Sequence, residues 1–143
     1  MDFMRALTIS ASGLAAQRTR MEVITENLAN SESTITSTGR PYQRKLVLLQ
    51  AVDDRSFPAI LRGADIPEGG VRVSGIVESQ DSARRVYQPD HPQAGPDGFL
   101  SLPNINTFKE MVDVMLSNRA YEANAVAFQA TKSMGAKLLE LLR

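Results

Sequence analysis

Residues 107–143 read TFKEMVDVMLSNRAYEANAVAFQATKSMGAKLLELLR, and this stretch decides the fold. It holds no proline and one glycine, Gly135, so little in it interrupts a helix. Thr107 and Glu110 have the spacing of a capping box, in which a hydroxyl and a carboxylate three residues apart satisfy the free amides of a helix start. From there Val112, Leu116, Ala120, Ala123, Ala127, Ala130, Met134, Leu138 and Leu141 recur in steps of three and four, which lays them along one side of a helix. Four alanines on that seam let a partner helix come closer than leucines would. Tyr121, Phe128 and Leu142 lie on a second face. Two apolar faces require neighbours on two sides, and one helix from the same chain covers only one of them.

Residues 1–30 mirror this pattern. They too lack proline and hold one glycine, Gly13. Leu7, Leu14, Met21 and Leu28 recur every seven residues, with Phe3, Ala11 and Ile24 beside them, which predicts an amphipathic helix about 40 Å long with a coiled-coil-like seam. All seven prolines and seven of the nine glycines fall between the two ends. That middle carries β-rich runs at 42–50, 71–77 and 84–87, bounded by glycine and proline. The fold expected is mainly α with a small β-rich insert. Its parts are an N-terminal core helix over 1–30, a linker and β-rich middle over 31–106, and a C-terminal core helix over 107–143. The linker NSESTITSTG (30–39) offers Ile35 as its one apolar anchor.

Composition narrows the function. Lys+Arg and Asp+Glu each number 16, so the formal net charge is zero and no long-range field gathers nucleic acid or an anionic membrane. With no cysteine there are no disulfides, thiolate metal sites or thiol catalysis. The opening MDFMRALTISASGLAAQRTRM has neither a basic start before an apolar core nor a continuous apolar span, so neither a cleaved secretory signal nor a membrane-inserted helix is expected. His91, the only histidine, sits between Pro89 and Pro92 and reads as part of a rigid turn. Asp53, Asp54 and Asp81 read as solvated acids beside strand ends, and Gly63, Gly69, Gly70 and Gly75 as ordinary turns without a phosphate-binding pattern. No catalytic, cofactor or metal constellation emerges, so an enzyme is not expected.

The apolar faces carry the functional reading. The helical ends make up nearly half the chain, and the turn-rich middle is too small to shield both their faces. Burial against other subunits resolves this, with ends that fray in the dilute monomer as a corollary. The residues expected at that interface are Leu7, Leu14, Met21 and Leu28 on the first helix, and Leu116, Ala120, Ala123, Ala127, Ala130, Met134, Leu138 and Leu141 on the second. Asn27 and Asn30, one turn apart, either cap the first helix or bond a neighbouring subunit and fix its register. A soluble helical adaptor or export-chaperone-like module using the same faces is the competing reading.

Several of these motifs resemble one family. Ser12-Gly-Leu-Ala-Ala-Gln-Arg-Thr-Arg-Met followed by Asn27-Leu28-Ala29-Asn30 is similar to the start of bacterial flagellar rod and hook proteins. Val86-Tyr-Gln-Pro-Asp-His-Pro-Gln-Ala and Gly98-Phe-Leu-Ser-Leu-Pro-Asn-Ile-Asn resemble elements of its C-type proximal rod members. Arg119-Ala-Tyr-Glu-Ala-Asn124 and Lys132-Ser-Met134 are similar to the family's last helix. After Asn30 the chain has Ser31-Glu-Ser-Thr, where the longer distal rod and hook proteins carry a Thr-Thr-Gly-Phe type turn. The resemblance implies a structural subunit of the proximal rod, the drive shaft that crosses the periplasm. It implies terminal helices packed as a coiled coil around a narrow tube, with the middle outside. It also implies export by the flagellar type III apparatus, and other rod proteins and copies of itself as partners.

Overall fold

The computed structural model describes residues 3–36, 39–52 and 69–141. Helix α1 spans Phe3–Ala29 and helix α2 spans Thr107–Leu141, as the proline-free ends predict. Between them lie strands β1 (Lys45–Ala51), β2 (Val71–Glu78), β3 (Arg84–Tyr87) and β4 (Phe99–Leu102). The helices form an antiparallel hairpin: Phe3 lies by Gly135, Gly13 by Asn124, Arg20 by Asp113 and Asn27 by Glu110. Gly13 sets how close they come. A Cβ there would stand 2.9 Å from Asn124 Oδ1, nearer than side chains tolerate.

The hairpin buries a face the sequence pattern ranked second. On α1 the buried residues are Ala16, Val23, Ile24 and Asn27. Leu7, Leu14, Met21 and Leu28 lie roughly a third of a turn away and stay half-buried. On α2 the covered side runs through Glu110, Ser117, Tyr121, Asn124, Phe128, Thr131 and Gly135. From Ser117 to Gly135 each of these follows a residue of the alanine seam by one position, which rotates it about 100° from that seam. The partner helix therefore covers the Tyr121/Phe128 side and leaves the seam open.

Strands β1 and β2 pair antiparallel, Lys45 opposite Glu78 and Ala51 opposite Val71. Ser74 is the extra residue at a bulge facing Leu48 and Leu49, and its hydroxyl donates to the Leu48 carbonyl at 3.1 Å. This sheet lies along α1. The Val71 amide donates to Ser12 Oγ at 3.1 Å, and Lys45 is held by Asn27. Strands β3 and β4 form a second antiparallel pair, in which Tyr87 meets Phe99 edge-on with centroids 5.3 Å apart. The four residues of β4 show too little alternation to announce a strand, and the sequence reading assigns none there. Gly98 makes the turn possible: its φ is +73°, and a Cβ would stand 2.8 Å from the Tyr87 ring.

The linker corrects one expectation. Ile35 is 57% exposed and anchors little. Hydrogen bonds fold the segment instead, with the Thr36 amide and hydroxyl both donating to the Arg40 carbonyl and the Tyr42 amide to that of Ser33.

The fold is far from self-contained. The chain exposes 10537 Å², against about 7,200 Å² for a compact monomer of its mass. Apolar residues account for part of the excess: Leu116, Met134, Leu138 and Leu141 on α2 and Leu48 and Ile76 on the sheet all face solvent. Among the described residues, no helix is long and apolar enough to cross a membrane.

Candidate assembly interface

Where the two helix ends meet, a knot of polar side chains fixes the geometry of every face. Asn27 is 1% exposed and its amide is fully used. Nδ2 donates to the Lys45 carbonyl at 2.8 Å and to Glu110 Oε2 at 3.2 Å. Oδ1 accepts the Lys45 amide at 2.8 Å and the Tyr42 hydroxyl at 3.1 Å. A side-chain amide has two donor and two acceptor positions, and all four are occupied. Asn27 is therefore an in-chain staple between α1 and β1, which corrects both expectations for it, the helix cap and the contact to a neighbouring subunit.

Glu110 is the second buried member, also 1% exposed. The Arg44 guanidinium donates to Glu110 Oε1 at 2.7 Å and reaches Asp113 at 3.8 Å; Arg20 faces the other Asp113 oxygen at 4.0 Å. Glu110 is thus committed to Arg44 and Asn27, and the expected capping box does not form. Asn106 caps α2 instead, its Oδ1 accepting the Lys109 amide at 3.2 Å. Asn30 does act at a helix end: its Nδ2 donates to the Glu26 carbonyl at 2.9 Å and its Oδ1 accepts the Ser33 hydroxyl. It does so without the left-handed backbone expected of an asparagine cap, since among the described residues only glycines have positive φ.

The Tyr42 phenol is pushed up to about 12, first by burial, then by the carboxylates of Glu26, Glu78 and Glu110. A folded value above the ordinary 10 means that the folded state favours the neutral phenol. That contribution is complete below pH 10 and is lost as pH rises through about 12. An absorbance titration should therefore show one phenolate step near pH 12, accompanied by loss of helicity. Tyr42→Phe should remove the step and cost about 0.5–1.5 kcal/mol at neutral pH, the net worth of its hydrogen bond.

The seam residues on α2 lie in the open. Leu116 is 52% and Met134 55% exposed; Ala123, Ala127, Ala130, Leu138 and Leu141 are exposed, and Ala120 is half-buried at the edge of the hairpin. No strand packs against α2 among the described residues. The sequence reading missed Tyr42, Arg44 and Glu110 as a unit, because 66 and 83 residues separate Glu110 from its partners Arg44 and Asn27. The one available signal was an acid in a first helical turn following an arginine-bearing strand, and both are commonplace.

Elsewhere the chemistry is structural. His91 sits in a turn, its Nδ1 accepting the Gln93 amide at 3.2 Å and its own amide donating to the Gln88 carbonyl. Asp81 accepts the Ser79 hydroxyl at an exposed site. Asp53, Asp54 and Gly63 lie outside the described residues. Among the described residues, no group of three or more His, Cys, Asp or Glu is arranged to hold a metal.

The chain is thus a helical hairpin with open apolar stripes beside a buried, hydrogen-bonded polar knot. Comparison with known proteins makes this specific. Residues 7–34 match the family described as flagella basal body rod protein, and residues 97–141 match the C-terminal region of flagellar basal body rod FlgEFG proteins. The chain is 42% identical to the flagellar basal-body rod protein FlgC of Bacillus subtilis (strain 168), with 99% of each covered. It is 40% identical to that of Aquifex aeolicus over 98% of this chain and 97% of the relative. It is 37% identical to that of Salmonella typhimurium over 99% and 98%. The chain belongs to the flagellar basal-body rod protein family, on its FlgC branch, and is not an enzyme.

Proposed function

We propose that the chain is a subunit of the proximal rod that polymerises through its terminal helices and transmits torque as part of the drive shaft. One observation carries this reading. The α1–α2 hairpin leaves a straight apolar stripe along nearly the whole of α2 uncovered. Burial of apolar area is the general source of association energy, and a stripe about 45 Å long suits repeated contacts between elongated neighbours. Leu7, Leu14, Met21 and Leu28, half-buried beside the hairpin, form the matching stripe on α1. The partners are other rod proteins and copies of the same chain, and the β-rich insert faces away from the helical core of the rod. The rod lies in the periplasmic space, and the subunit reaches it through the flagellar type III apparatus without a cleaved signal. No insertion into the membrane and no nucleic acid is involved.

Deletion separates export from assembly. A chain lacking residues 107–143 should still appear outside the cytoplasm at a measurable level, because the export determinants lie in the N-terminal half. It should build no rod, having lost both α2 and the cover over Ala16, Val23 and Ile24. Complete retention of a stable, expressed truncation in the cytoplasm would place the export signal in α2 and overturn this part of the reading.

A further inference from the structure

Ser12 opens the run that resembles the rod and hook family, and its hydroxyl joins two elements. The hydroxyls of Thr8, Thr25, Thr131 and Ser133 each donate to a carbonyl three or four residues back in their own helix. Ser12 Oγ donates to the Ile9 carbonyl at 2.7 Å in the same way, and it also accepts the amide of Val71, the first residue of β2, at 3.1 Å. The backbone beside it is shaped to this contact. Gly70 has φ +113°, and a Cβ there would stand 2.8 Å from Ser12 Oγ. Gly69 has φ +101°, and its Cβ would stand 3.2 Å from Ile9 Cδ1. Glycine at both positions lets the start of β2 lie directly on one turn of α1. We propose that Ser12 is a positioning residue: with Gly70 it anchors the far end of the β1–β2 sheet to α1, so that the insert turns with the helix as one rigid arm and does not swing from the polar knot.

The spacing of the contacts supports this. The near end of the sheet is held by Asn27, which bonds both the amide and the carbonyl of Lys45, opposite Glu78. The far end, where Ala51 pairs with Val71, reaches Ser12. Ser12 and Asn27 stand about 22 Å apart along the helix axis. Strand β1, Lys45–Ala51, is about 20 Å long. The sheet therefore lies along α1 with a polar anchor at each end. A two-stranded sheet is marginal by itself, and one anchor would leave it free to tilt.

Gly13, the next residue, faces α2 at Asn124, about 100° around the helix from Ser12. Two adjacent residues thus fix where both neighbours of α1 sit. Under the drive-shaft reading, load on the insert reaches α1 at two points. The mount itself belongs to the free subunit and stands apart from that reading.

Hydrogen exchange and paired spin labels on the full chain test the mount. In Ser12→Ala the Val71 amide loses its acceptor and should exchange roughly five- to tenfold faster. The Lys45 amide, held by Asn27, should keep the parent rate. Nitroxides at Ala51→Cys and Gln129→Cys, on a chain with no cysteine of its own, should give a distance distribution that broadens when Ser12→Ala is added. Gly70→Ala should have the same two effects from the other side, by pushing the strand off the hydroxyl. Ser133→Ala removes a hydroxyl bonded to its own helix and should change neither readout. Parent-like Val71 exchange or an unbroadened distribution in Ser12→Ala would overturn the proposal. Equal loosening of the Lys45 end would do so too, since Ser12 would then support the whole sheet without placing one end of it. Failure of the rod reading shows elsewhere, in seam variants with normal motility, and moves neither readout.

Discussion

Glu110→Ala should lower the melting temperature by roughly 10–20 °C, the largest loss expected from any single side chain outside the apolar core. Glu110 is buried against Arg44, whose side chain is 18% exposed, and beneath the Asn27 amide. Removing one partner of a buried ion pair leaves an uncompensated charge and costs about 3–5 kcal/mol. Here it also strips one donor of Asn27 of its acceptor. A chain with so small a core has a total stability toward the low end of about 5–15 kcal/mol, so the loss is a large share of it. Arg44→Met alone should do comparable harm, by leaving the Glu110 carboxylate unpaired. The double change Arg44→Met with Glu110→Leu should cost less than the sum of the singles, since two apolar groups need no partner. The exposed Arg18–Glu22 pair, 3.0 Å apart along α1, is the control, and Arg18→Ala should cost under about 1 kcal/mol. Thermal melts of these four variants, and of Glu110→Leu alone to close the cycle, decide the matter by circular dichroism. Additive singles would mean that Arg44 and Glu110 are neighbours without being coupled.

That knot also marks the boundary of what the chain reveals before it folds. The two helices were legible because proline and glycine cluster in the middle and leave both ends clean. The α2 stripe was legible because nine residues keep a three-four rhythm. Which stripe of α1 meets α2 was not, since apolar strength points to Leu7, Leu14, Met21 and Leu28. The hairpin instead selects the side where Gly13 and Ala16 allow close approach and Asn124 fills the space beside Gly13. Local pattern also misread Glu110. Its spacing from Thr107 is that of a capping box, yet the half-buried guanidinium of Arg44 offers a stronger partner than a helix amide in reach of water. Long-range partners override local ones where the local site is exposed and the distant one is dry.

Filling the alanine saddle should abolish rod assembly while leaving the subunit intact. Ala123 and Ala127 are exposed on the monomer, so a leucine at either meets nothing within the chain and carries almost the same helix propensity. Ala123→Leu and Ala127→Leu should therefore melt within about 0.5 kcal/mol of the parent, as surface changes do, and be exported at a normal level. Against a closely packed neighbour the added side chain forces the backbones apart, at about 1–3 kcal/mol per contact. Because the same contact recurs from subunit to subunit, the penalty recurs along the whole assembly. Cells carrying either variant should be non-motile, and their basal bodies should lack the rod. Ala136→Leu is the matched control: Ala136 is exposed and lies on the opposite side of α2 from the seam. Ala125 is a poorer control because it is half-buried. Motility equal in Ala127→Leu and Ala136→Leu would show that the stripe faces solvent in the finished rod. The assembly contacts would then have to come from α1 or from apolar residues that the sheet exposes, such as Leu48 and Ile76.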